Sequence, residues 1–122
     1  MAGKDFLDQS TLAQVVLPVT SRMMARPHFL QQVEGPGSPQ FIELVREVLT
    51  VGRSRDVDLR IASEELSRTH MKVERCPTGF QVVDLDSSNG VYLNEIRIFS
   101  AELRDGDTIQ IGNVVFLYYE GR

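Results

Sequence analysis

The sequence predicts an all-β domain, a two-sheet β-sandwich. Two observations carry this. From His28 onward, short apolar runs, several of them alternating with polar residues, are punctuated by turn residues about every eight to twelve positions. Near Pro27 the patterning also changes, because the apolar residues before it recur at a helical rather than a strand period.

The elements follow in order. Residues 1–26 form a leader in which Leu7, Leu12, Val15, Val16, Val19 and Met23 sit at roughly helical spacing, interrupted by Pro18. A proline there breaks or kinks a helix, so the leader is expected to be mostly irregular or weakly helical. His28 to Glu34 and Gln40 to Val45 flank Gly35-Pro36-Gly37-Ser38-Pro39 as a hairpin with a rigid tip. Val48 to Val51 is a strand ending at Gly52. His70 to Arg75 alternates, Pro77-Thr78-Gly79 turns, and Phe80 to Leu85 returns as its partner. Asp86 to Gly90 is a polar loop, and Val91 to Leu93 and Ile96 to Phe99 are strands flanking Asn94-Glu95. Asp105-Gly106-Asp107 is a tight turn, and Thr108 to Ile111 pairs with Val114 to Tyr119 across Gly112-Asn113.

Composition narrows the function. A chain of 122 residues is the size of one domain, and 42% hydrophobic with 25% charged residues is ordinary for a globular protein. With 13 basic against 17 acidic residues the net charge is -4. That argues against nucleic acid as a partner, since duplex affinity comes largely from a basic face neutralising phosphates. One cysteine, Cys76, and two histidines make a poor zinc set, and one thiol forms no internal disulfide. Asp105 to Asp107 lacks the ligand spacing of an EF-hand. No metal, cofactor or membrane partner is expected, and with no apolar span and no signal peptide the cytoplasm is the expected location.

The residues that suggest chemistry lie between the strands. Gly52-Arg53, Ser67-Arg68 and Ser88-Asn89 stand on three separate loops. A phosphate ester needs donors from several directions, and arginine presents a planar fork to two of its oxygens. His70, three residues past Ser67, invites comparison with a Ser-His nucleophile, but no nucleophile elbow is recognisable. An enzyme is therefore not expected.

Four strings, Val51-Gly52-Arg53-Ser54, Leu66-Ser67-Arg68-Thr69-His70, Asp84 through Asn94, and Leu103-Arg104-Asp105-Gly106-Asp107, resemble in order and spacing the forkhead-associated (FHA) domain. The resemblance spans roughly Phe29 to Tyr119, so residues 27–122 are expected to form that domain. It implies about eleven strands in two sheets and recognition of phosphothreonine peptides. Arg53, Ser67 and Arg68 would hold the phosphate, and Asn89 with Ser88 the peptide backbone. Gly52 would let the chain turn sharply, Gly90 would make a positive-φ turn, and His70 and Asn94 would steady the loops. The family often has glycine after that asparagine, where this chain has Glu95, which leaves the turn type open. A small apolar niche for the threonine methyl would favour threonine over serine by roughly 10- to 200-fold. Glu64 and Glu65 would disfavour an acidic residue three positions after the phosphothreonine.

The partner implied is a phosphothreonine protein with a Ser/Thr kinase upstream. The leader supplies one candidate, since Asp5 and Asp8 approach Thr11, with Thr20 as a second acceptor. A second reading keeps the sandwich but binds partners without phosphate, through a sheet face or the leader. The close of the chain at Gly121-Arg122 suggests a regulatory domain fused to a C-terminal output region, such as that of a larger signalling enzyme, with a complete small adaptor as the alternative.

Overall fold

The computed structural model describes residues 26–121. The leader expected over residues 1–26, with Thr11 and Thr20, lies outside them except for Arg26.

Eleven strands form among these residues: β1 (His28–Glu34), β2 (Gln40–Glu43), β3 (Val48–Gly52), β4 (Leu59–Arg60), β5 (Met71–Cys76), β6 (Gly79–Asp84), β7 (Val91–Leu93), β8 (Ile96–Ile98), β9 (Ser100–Glu102), β10 (Thr108–Ile111) and β11 (Val114–Glu120). They make a five-stranded sheet, β9-β6-β5-β3-β4, and a six-stranded sheet, β2-β1-β11-β10-β7-β8. No helix of the described residues is long and apolar enough to cross a membrane.

Alternation decides which side chains meet between the sheets. On β11, Val114, Phe116 and Tyr118 point inward and are buried, facing Met71 and Val73 of β5 and Phe80 and Val82 of β6 across one core. Gln32 of β1 is fully buried yet satisfied. Its Nε2 donates to the carbonyls of Glu34 (3.1 Å) and Pro36 (2.8 Å), and its Oε1 accepts from Gln40 Nε2 at 2.7 Å. It thereby staples the β1–β2 hairpin whose glycine-rich tip the sequence marks.

Two strands escape the sequence. Leu59–Arg60 is too short to show a period and pairs in parallel with β3, Val51 opposite Leu59. The run expected from Ile96 to Phe99 ends at Ile98, and the chain then crosses between sheets. Ser100, Ala101 and Glu102 pair with Val83, Val82 and Gln81 of β6. Phe99 sits at the crossing, 74% exposed, its carbonyl accepting the Asp84 amide at 2.8 Å. An apolar residue there reads as strand in sequence while it turns a corner in space.

The turn between β7 and β8 is settled by its dihedrals. Asn94 has φ 50° and Glu95 φ 73°, both left-handed, as a type I′ hairpin turn demands. The second position prefers glycine, and a glutamate held there carries about 1 kcal/mol of backbone strain. Glu95 is exposed, so its side chain offers little in return. Glu95→Gly should therefore stabilise the domain by about 0.5 kcal/mol, the relief being partly offset by the greater freedom of glycine when unfolded. A urea titration showing a lower midpoint for that variant would contradict this.

Candidate functional site

At one end of the sandwich β3 runs out into the loop 53–58. Gly52 is still within the strand, so the sharp turn expected of it is not its role. A β-carbon there would lie 2.1 Å from the carbonyl oxygen of Arg68 and 3.0 Å from that of Ser67. Only glycine lets the loop between β4 and β5 lie this close against β3. The approach is stitched by Arg53 N–H to the Ser67 carbonyl and Ser54 N–H to the Arg68 carbonyl, both 3.0 Å, and by Arg53 Nε to the Leu66 carbonyl at 3.2 Å.

His70 closes the same loop from beneath. Its ring is fully buried, Nδ1 accepts the Ser67 amide at 3.0 Å, and Nε2 lies 2.8 Å from the Gly90 carbonyl. An amide can only donate and a carbonyl only accept, so the ring is the neutral tautomer protonated on Nε2. Both nitrogens are thus committed to backbone. Neither is available to take a proton from Ser67, and the nucleophile reading fails on geometry.

The loop between β6 and β7 is ordered by its own serines. Ser87 N–H donates to Asp84 Oδ1, and Ser87 Oγ accepts the Gly90 amide, each at 3.0 Å. Gly90 has φ +85°, and a β-carbon there would meet the Arg97 guanidinium at 2.7 Å from Nε. The loop is joined to its neighbour twice, by Ser88 N–H to Ser67 Oγ at 2.9 Å and by Asn89 Nδ2 to the Glu65 carbonyl at 2.7 Å. Ser67 Oγ therefore uses a lone pair on Ser88 and keeps its own proton for another acceptor. Asn89 keeps its Oδ1 and its second N–H.

Arg53, Ser67, Arg68, Ser88 and Asn89 are thus carried by loops stitched together at one edge. Asn94 is not there. β7 runs antiparallel to β10, with Tyr92 opposite Gln110 and Leu93 opposite Ile109, so Asn94 falls at the far end of the strand. Its Nδ2 donates to Asp107 Oδ1 and its Oδ1 accepts the Thr108 amide, both at 2.9 Å. It ties the β7–β8 hairpin to the turn before β10, and the expectation that it steadies the loops directly is corrected.

Several supports were not singled out from the sequence. Asp58 closes the loop that carries Arg53, its Oδ2 accepting the Thr50 amide at 2.9 Å and the Thr50 hydroxyl at 3.1 Å. Those bonds, backbone first, hold its carboxyl below the usual carboxylate range. Arg60 Nε donates to the Arg53 carbonyl at 3.1 Å. Ser63, buried, donates to Asn113 Oδ1 at 2.6 Å and accepts the Glu65 amide at 3.2 Å, fixing the β10–β11 turn to the Ser67 loop. Each pair is distant in sequence or typical of an ordinary turn, so only the Asp58 spacing, eight residues after Thr50, gave a local hint.

The edge is locally basic in an acidic chain. Ion pairs among the described residues are Arg26–Glu120, Arg46–Asp58, Lys72–Glu74 and Arg75–Glu47. Arg53 and Arg68 belong to none of these, and both are exposed. At the opposite end of β1, burial lowers the His28 pKa, opposed by Glu120, and burial raises that of Tyr118, which shares a hydrogen bond with His28. These groups lie away from the basic edge.

Comparison with known proteins gives consistent matches. The family model "FHA domain" matches residues 49–112. The chain is 34% identical to the oxoglutarate dehydrogenase inhibitor of Corynebacterium diphtheriae over 71% of this chain and 61% of that protein. It is 33% identical to the glycogen accumulation regulator GarA of Mycolicibacterium smegmatis over 71% of this chain and 55% of that one. This chain therefore spans somewhat over half the length of those relatives. Mycobacterium tuberculosis EmbR, solved in complex with a low-affinity phosphopeptide, superposes with a TM-score of 0.72 at 28% identity, covering 79% of this chain and 25% of EmbR.

The geometry makes the His70 ring the brace of two loops. His70→Ala should cost about 2 to 4 kcal/mol, because it leaves a cavity and strands the Ser67 amide and the buried Gly90 carbonyl. Urea denaturation giving less than about 1 kcal/mol would refute that account.

Proposed function

The chain belongs to the FHA family, and from that premise we propose that residues 27–122 recognise phosphothreonine peptides through the loop edge. The observation that carries the reading is the pairing of two arginines outside the ion pairs above with a serine whose hydroxyl proton is left over. In this reading the Arg53 fork and the Arg68 guanidinium hold the phosphate oxygens, and Ser67 donates its proton to a third. Asn89, anchored by Glu65, turns its remaining amide groups to the peptide backbone, with Ser88 beside it. Gly52, His70 and Gly90 act by holding these loops in place.

The phosphate would supply about -1.5 to -2 charges and three strong acceptors, so an unmodified peptide loses the central contacts. The domain then acts as an adaptor or regulatory module in Ser/Thr kinase signalling in the cytoplasm, carrying no catalytic step itself. The relatives support this, one being named as an inhibitor and another as a regulator. Arg53→Ala should weaken phosphopeptide binding about 10- to 100-fold, the usual range for hydrogen bonds to a charged group, while costing folding about 1 kcal/mol through the lost bond to the Leu66 carbonyl. Unchanged affinity by isothermal titration would sink the assignment.

The leader supplies a self-ligand. β1 begins at the end of the sandwich remote from the loop edge, since its partner β11 runs seven residues from Val114, beside the β10–β11 turn, to Glu120. Seven extended residues cover about 20 Å. Thr11 lies fifteen positions before Arg26, and such a tether has a root-mean-square span of about 19 to 23 Å. Thr20, only six positions away, reaches about 20 Å when fully stretched, which makes it the poorer cis ligand. Tethering supplies effective concentrations around millimolar. Phosphorylation at Thr11 should therefore weaken binding of an added phosphopeptide at least about tenfold. Equal affinity before and after phosphorylation would exclude Thr11 as a self-ligand.

A further inference from the structure

The outer face of the six-stranded sheet carries an apolar patch over β2, β1 and β11, bordered by Gln31, Glu43, Thr108 and Gln110. β11 contains six apolar residues in succession, Val114 to Tyr119, the pattern of a strand covered on both faces. The other sheet covers only the side of Val114, Phe116 and Tyr118. On the other side Leu117 and Tyr119 are half-buried, and Tyr119 stands opposite Phe29 of β1. Phe41 of β2 completes an aromatic row. Its ring centre lies 5.3 Å from that of Phe29 and 6.0 Å from that of Tyr119, and the residue is 60% exposed. These rings, with Asp105, Glu120 and Gly121, line an open groove of about 430 Å³. A cluster of one exposed and two half-buried rings of this kind marks an interaction surface.

We infer that residues 12–24 of this chain lie across that face. The described chain begins at the rim of the groove. Gly121 N–H donates to the Pro27 carbonyl at 2.7 Å, and Arg26 Nη1 is 3.9 Å from Glu120 Oε1. The segment immediately before carries Leu12, Val15, Val16, Val19 and Met23, an apolar set in search of a surface. Thirteen residues span about 20 Å even at the rise of a helix, enough to follow β11 along its length. A tethered segment meets the face at an effective concentration around millimolar, whereas a second copy would have to bury roughly 1,000 Å² or more to compete. This inference concerns a surface away from the phosphate loops and does not rest on what those loops bind.

The test is hydrogen–deuterium exchange on the full, unphosphorylated chain without peptide, so that its result is separate from the phosphothreonine reading. Amides of residues 12–24 should exchange at least about tenfold more slowly than in a free peptide of the same sequence. The slowing should vanish in Phe41→Asp and in Val16→Asp, while β5 and β6 stay protected in both. Free-peptide exchange rates in the wild-type chain, or protection that survives both substitutions, would overturn the inference. So would light scattering that shows a dimer dissociated by Phe41→Asp with residues 12–24 unprotected throughout, which assigns the face to a second copy.

Discussion

The loop edge depends on one ring. His70 presents a bare lone pair to the Ser67 amide and an N–H to the Gly90 carbonyl, so one side chain sets the spacing of the two loops that carry Ser67, Arg68, Ser88 and Asn89. No other side chain of similar size offers an acceptor and a donor at opposite ends of a rigid plane. Glutamine has both groups but on a flexible stem and at one end, and an aromatic ring has neither. Full burial of the ring removes water as a substitute partner, so losing the ring would orphan two backbone groups, one for each bond.

The absent side chain at Gly52 is the complementary requirement. A 2.1 Å approach to the Arg68 carbonyl leaves no room for a methyl group, and the contact it permits places the Arg53 and Ser54 amides on the facing carbonyls. Arg53 is thereby fixed at its root rather than at its tip. Its Nε bond to Leu66 restrains the guanidinium of a residue that is otherwise exposed. Such preorganisation matters because a long side chain loses rotamer freedom on binding, and restraining it beforehand lowers that cost.

How much of this could be read from residues alone varies with the range of the interaction. The β5–β6 hairpin and the β10–β11 pair were legible because each brings a strand period and its turn in one short string. The loops bearing Arg53, Ser67 and Asn89 were legible as loops, and their order and spacing matched a family in which they meet. The Ser63–Asn113 bond was not, because its partners are 50 residues apart. Nor was β9, since Phe99 carries an apolar signal at a point where the chain changes sheets. Asn94 was misplaced for a different reason. Its motif was recognised correctly, but one strand of three residues separates it from the loops, and antiparallel pairing puts it at the wrong end.

The acidic balance of the whole chain bears on how its loop edge selects. A net charge of -4 offers a phosphate dianion no long-range attraction, and ionic screening confines any field to about 8 to 10 Å. Glu64 and Glu65 stand on the same loop as Ser67 and Arg68, so even locally the potential changes sign over a few residues. Affinity must then come from short, directional contacts, which require donors already in place. This is the physical reason for concentrating so many backbone bonds under so few side chains. If the edge binds phosphothreonine as proposed, an anion of the wrong shape would find charge but not the geometry, and a neutral threonine would leave two arginines unpaired. In the proposed reading, selectivity for the modified residue would follow from rigidity and local charge acting together, with neither sufficient alone.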